Sequence, residues 1–384
     1  MAFAFSMSWY VYTRTGSSLA LGGSLTFLSL PELAAPALGT VVDRASKKVI
    51  LAIAAGAGGI VPLLLIGALA TTPRHVLSLY IAATVLGALE VLDWPAFQAV
   101  FPLMVPAPQL TKANSLWSAI EGMLMILGPA AGGYLVGQAM VRSLLMVSIS
   151  YFLALAVLLI IRFEEPTTPR PHASWAAETR AGCTYVWKNP RIRRLLAIST
   201  VWNVVESAGT TFILVVLRRH LHLNATVTGM TFGLEGMGNL LGTVIFATVS
   251  KWVPRNTGTI TGALLGCALF ALWSWVVTIG QAVALILAMG VISTFYSLHI
   301  RTWRQEIIPH EIFGRVISTF RMTARSTTPF SPLLGSWAIA QVGLPLFYLG
   351  IGASGFITLA GLGWRFFQSP TPPDDRSLLN HPMM

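Results

Sequence analysis

Six carboxylates, Glu32, Glu90, Asp93, Glu121, Glu206 and Glu235, fall inside long apolar runs of a 384-residue chain, where only Arg321 and Arg325 oppose them. A charge inside a membrane is expensive and normally faces a cavity or a partner, so each is a candidate site. Glu90 and Asp93 are three residues apart and share a helix face about midway along their run. Two carboxylates held together in apolar surroundings can keep a proton, which is what proton coupling requires. The other account is a structural pair, wet or amide-bonded, beside Trp94 and Pro95. Glu206, near Asn203, is the second proton-coupling candidate, again with structural hydrogen bonding as its alternative. The excess of acid suits protons, cations or neutral amphiphiles, because a carrier of phosphate esters would be expected to line its cavity with Arg or Lys.

The elements that must position these groups are membrane helices. The chain is 54% hydrophobic and only 10% charged, against roughly 25% charged in soluble domains. Apolar runs of about 20 residues recur between short polar breaks, and a β-barrel would show alternating segments of about 10 instead. The runs predict helices near 1–12, 19–39, 49–70, 77–104, 114–138 and 143–162, then 194–217, 226–249, 258–278, 282–301, 315–341 and 344–365. The expected organisation is an N-terminal bundle over 1–162, a linker over 163–193 rich in Pro at its start, a C-terminal bundle over 194–367 and a tail over 368–384.

The net charge of +11 follows the loops. With residues 39–48 placed inside, eighteen basic residues collect on the cytoplasmic side, Arg301 and Arg304 among them, and five on the other. The positive-inside rule then orients the protein with a cytoplasmic C-terminus and accounts for the charge without nucleic acid. Cys183 and Cys267 form no disulfide or metal pattern. Gly56, Gly58 and Gly59 lack the Lys-Ser or Lys-Thr of a phosphate loop, and no His, Cys or Ser cluster offers a nucleophile with its base. No cofactor, metal or enzyme activity is expected. His299 reads as a packed or surface residue, and Trp94, Trp117 and Trp202 as packing, interfacial or cavity-lining groups.

Sliding the chain by 203 residues aligns Glu32 with Glu235, Gly39 with Gly242, Lys112 with Arg315, Pro129 with Pro332 and Gly132 with Gly335. One offset serves separate regions, as two parallel six-helix repeats would require. It also starts the first helix before Met1. Twelve residues span only about 18 Å, too little for a hydrocarbon core of about 30 Å. A truncated first helix is therefore expected, with about nine or more further residues encoded upstream.

The segment Gly39, Asp43, Arg44 to Lys48 resembles the G-x-x-x-D-R-x-G-R-K loop between helices 2 and 3 of the major facilitator superfamily, with Ser46 and Lys47 departing from it. Gly128, Pro129, Gly132 and Gly133 are similar to the end of its antiporter motif in helix 5, where they would form a bendable, smooth face. Residues 95–115 resemble the bacterial exporter branch that includes enterobactin and macrolide efflux proteins. The resemblance implies a polytopic all-α protein of two six-helix bundles that rock about a central site in the inner membrane. It implies proton-coupled efflux of a small amphiphile (drug, macrolide or siderophore-like) by a monomer whose partners are substrate, protons and lipid. Uptake, or a transport-dead scaffold or sensor, is the alternative. In that fold helices 2 and 11 face each other, so Glu32 and Arg321, at matching depths, are expected to pair as a gate, with Arg325 and Glu235 as further gate candidates. The alternative is Arg321 reaching the surface and Glu32 meeting a hydroxyl or water.

Overall fold

The computed structural model describes residues 2–35, 38, 42, 45–71, 76–106, 109–161, 183–308 and 313–367, and every regular element among them is helical. The helices are α1 (Ala2–Thr15), α2 (Ser18–Ser29), α3 (Lys47–Thr71), α4 (Val76–Val100), α5 (Leu110–Gln138), α6 (Met140–Ile160), α7 (Pro190–Val215), α8 (Ala225–Val249), α9 (Arg255–Leu272), α10 (Ile279–Ile307), α11 (Phe313–Arg325), α12 (Ser331–Val342) and α13 (Leu344–Phe367). Nine membrane spans among the described residues are long and apolar enough to cross a bilayer. At 14 residues, α1 is about 21 Å long.

Two expected spans are interrupted. Helix 2, expected over 19–39, is α helix only to Ser29 and continues as a 3₁₀ turn, Leu30–Ala34, with Pro31 near its start. Helix 11, expected over 315–341, breaks between Arg325 and Ser331. Thr328 N–H bonds the Arg325 carbonyl at 3.0 Å and Phe330 N–H bonds that of Thr327 at 3.1 Å. Pro329 and Pro332 cannot donate to an i→i−4 ladder, which weakens the helix there, although Pro62, Pro95 and Pro129 sit inside continuous helices. Helix 10 errs the other way. Expected to stop at 301, it runs to Ile307 and carries Arg301 and Arg304 on helix rather than loop.

Gly16 and Gly343 take positive φ, 64° and 79°, so the chain reverses tightly between α1 and α2 and between α12 and α13. Within residues 2–160, α2 packs on α1 and α4, α3 on α4 and α6, and α5 on α1 and α6. Within 190–367, α7 packs on α9, α11, α12 and α13, and α10 on α8 and α9. Contacts between these groups run through α5 with α8 and α2 with α12, and more thinly through α2 with α7. The expected linker falls largely outside the described residues.

Candidate functional site

The seam between the two groups is built from glycine. A Cβ on Gly133 of α5 would strike Ala225 O and the backbone of Gly229 on α8, and one on Gly229 would strike Pro129 O. On the other side a Cβ on Gly22 of α2 would strike Pro332 O of α12. Without side chains in the way the backbones approach closely, as small residues permit in membranes. Pro129 and Pro332, equivalent under the 203-residue offset, thus both lie on the seam. These contacts sit toward the end that carries the α1–α2 and α12–α13 turns. Toward the other end, which bears the basic loops, Leu116, Ile120, Leu241 and Val244 of α5 and α8 are exposed.

The broken helix 11 is held from α7. Asn203 Nδ2 donates to Ala324 O at 2.9 Å and Ser207 Oγ to Thr328 O at 3.3 Å. A break frees backbone carbonyls that a membrane cannot solvate, and these two side chains satisfy them. Next to this anchor, Arg325 Nη1 lies 3.8 Å from Glu32 Oε1 on the 3₁₀ turn after α2. The expected Glu32–Arg321 pair is therefore corrected to Glu32–Arg325, one turn further along α11. Arg321 is exposed and within electrostatic reach of Glu32, as is Glu90. The pair's side chains are 33% and 58% exposed, and a pair this open contributes about 0.2–1 kcal/mol.

Glu90 and Asp93 lie on α4, Glu90 exposed and Asp93 half-buried, both within electrostatic reach of Tyr151 on α6. Just beyond them stands an aromatic group. Phe97 lies 4.4 Å from Trp117, and Trp94 lies 6.5 Å from Trp117, between ring centroids. Two of the three singled-out tryptophans, Trp94 and Trp117, thus pack together, while Trp202 is buried in the other group.

Glu206 and Glu235, 29 positions apart in sequence, line one cavity with Trp202, Thr210, Phe270, Met289 and Ser293. Ser293 Oγ donates to Glu206 Oε1 at 2.9 Å. The cavity holds about 10 Å³, room for about one water. This arrangement sets Glu235, expected as a gate candidate, beside the proton-coupling candidate Glu206. His299 is fully buried, its Nδ1 2.9 Å from Phe295 O and its ring 4.2 Å from that of Phe295, a packed histidine.

Of the loop motif, Gly39, Asp43 and Arg44 lie outside the described residues. Lys48 Nζ donates to Ile161 O at 3.0 Å, capping the end of α6 from the start of α3. Gly128, Pro129, Gly132 and Gly133 all lie within an unbroken α5, and Glu121 is half-buried on it. Arg301 and Arg304 of α10 were missed as site residues. Their i, i+3 spacing, followed by the apolar Ile307 and Ile308, is the helical signal that could have found them.

A family model described as the Major Facilitator Superfamily matches residues 1–327. Lysophospholipid transporter LplT of Escherichia coli O1:K1 / APEC is 26% identical over 357 residues, covering 88% of this chain and 83% of that protein. LplT of Salmonella arizonae is 27% identical over 361 residues, with the same coverage. Among solved structures, the nucleoside transporter NupG shares the fold with a TM-score of 0.69 at 13% identity, over 96% of this chain and 98% of that one. A bacterial homologue of the iron transporter ferroportin in its inward-facing state gives 0.69 at 16%, over 94% and 96%.

Proposed function

The chain belongs to the major facilitator superfamily and is a multi-pass membrane transporter, and we propose that it moves a single-chain amphiphile of the lysophospholipid class by secondary transport with alternating access. The observation that carries the reading is the uneven seam. Backbones meet at Gly133–Gly229 and Gly22–Pro332, whereas toward the basic end exposed apolar side chains of α5 and α8 accompany the charged groups Glu32, Glu90, Arg321 and Arg325. An acyl chain suits the first surface and a polar headgroup the second. The curated relatives named for lysophospholipid agree with that chemistry and favour it over a drug, macrolide or siderophore-like cargo.

Proton coupling belongs to the same proposal. Its carriers are Glu206 with Glu235, which share a cavity of one-water size, and the α4 pair Glu90 and Asp93. The excess of basic residues on one side supports a cytoplasmic C-terminus as part of this proposal.

The test is transport by the full chain in proteoliposomes, using radiolabelled lysophosphatidylethanolamine under a pH gradient of either sign. Saturable movement above protein-free vesicles, faster under one sign, is expected, and that sign separates efflux from uptake. Movement no faster than in empty vesicles overturns the cargo, and preferential movement of a macrolide reassigns it.

A further inference from the structure

Four arginines from two helices gather toward the basic end. Arg301 and Arg304 are three apart on α10, Arg321 and Arg325 four apart on α11, so each pair shares a helix face. Arg304 lies 4.8 Å from the ring centroid of Phe320, the residue before Arg321. Arg321 is within electrostatic reach of Arg301 and Arg325, and Arg304 of Arg301 and Arg321. Among the described residues little besides Glu32 opposes this charge. The acid nearest on α10, Glu306, is committed to Arg255 at 3.2 Å. Among the described residues the ion pair reaching the cluster is Glu32–Arg325, long at 3.8 Å, with Arg325 left 58% exposed. The Nε of Arg304 is buried with no hydrogen-bond partner among the described residues, a donor left over in a place where an unpaired donor is costly.

We propose that this cluster is a binding subsite for a phosphate ester, with Arg304 and Arg321 as its inner donors and Arg325 exchanging Glu32 for the ligand. A guanidinium presents paired N–H groups that match phosphate oxygens two at a time, and an anion removes the mutual repulsion of the cluster. The acid excess of the apolar runs argued against such a cargo, but Arg301 and Arg304, on helix rather than loop, reverse the balance locally. The inference rests on the proposed lysophospholipid cargo, which carries a phosphate ester in its headgroup. Free phosphate offers the same oxygens.

The experiment is equilibrium binding of radiolabelled lysophosphatidylglycerol to the purified full chain in detergent. Competitors are monoacylglycerol of the same chain length, inorganic phosphate and glycerol phosphate. The Arg321→Gln/Arg325→Gln double variant and Arg304→Gln are expected to bind about tenfold or more weakly, while competition by uncharged monoacylglycerol stays unchanged. Displacement by inorganic phosphate as readily as by lipid assigns the site to free phosphate; displacement only by acylated esters assigns it to the headgroup. Wild-type affinity in the double variant overturns the proposal. If that variant is not monodisperse, Arg321→Lys/Arg325→Lys decides, since it keeps charge and loses the fork. Weaker binding supports the site and unchanged binding overturns it. A wild-type chain that binds the ester through these arginines but moves no lysophospholipid sinks the transport reading alone.

Discussion

Asn203 of α7 donates to the carbonyl of Ala324, the residue before Arg325, at 2.9 Å, so the helix that bears Glu206 also sets the position of the arginine that meets Glu32. Replacing Asn203 with Leu removes this bond and leaves Ala324 O unpaired in apolar surroundings. A loss of about 1 kcal/mol is expected, read as a lower thermal midpoint of the purified protein in detergent. Asn203→Asp, which offers the carbonyl no donor when ionised, should lower it at least as far. An unchanged midpoint in both variants would show that the break holds itself.

The Glu32–Arg325 contact should bias the rocking equilibrium if it forms in one state and not in the other. Because the contact is formed while the basic end of the seam is open, Glu32→Gln and Arg325→Gln are each expected to decrease labelling of cysteines introduced near Leu241 on the basic-end half of α8. The charge-swapped double variant is expected to restore wild-type labelling. Single variants that label like wild type would reduce the contact to an incidental surface pair.

At the other end, the backbone contact of Gly133 with Gly229 leaves no room for a side chain. Gly229→Val should force α8 away from Pro129 and loosen the seam there. Faster modification of a cysteine placed at Ser17 is the expected readout, together with a transport rate reduced about tenfold or more. A variant with normal rate and labelling would mean that the seam tolerates separation by the width of a side chain.

Carboxylates that carry a proton lose that ability as amides. Glu206→Gln and Glu235→Gln, and separately Glu90→Gln and Asp93→Asn, are expected to abolish acceleration by a pH gradient while downhill exchange continues. Acceleration that survives in both double variants would move the coupling elsewhere.

Much of this was legible in the sequence, because the hydrocarbon core demands long apolar runs and such runs are visible residue by residue. Gly133 and Pro129 announced a helix face made for close approach, and they lie on one. The break at 326–330 was not legible as a break. Ser326, Thr327 and Thr328 are tolerated within membrane helices, and only the bonds from Asn203 and Ser207, far away in sequence, make a turn there affordable. Matching depths along straight helices located Glu32 and the helix that meets it, but of the two candidate arginines the contact falls on Arg325, one turn from Arg321, a choice that depth along a helix does not encode. Arg301 was set at the very end of helix 10 and Arg304 beyond it because charge ended the apolar run before the hydrogen-bond ladder ended. Glu206 and Glu235 come together through tertiary packing alone, which no spacing along the chain encodes.

The interruption of helix 11 also divides its mechanical loyalties. The segment α12 packs on α2 of the opposite group as well as on α7 and α13 of its own, while the segment α11 packs on α7. Between them, residues 326–330 lie outside the regular helix ladder, and their torsions can turn without breaking either rod. A continuous rod would act as a lever and transmit every tilt of one end to the other. The broken one need not do so: where turns replace the ladder at 326–330, a tilt of α12 with α2 is not carried rigidly into α11, which bears Arg321 and Arg325.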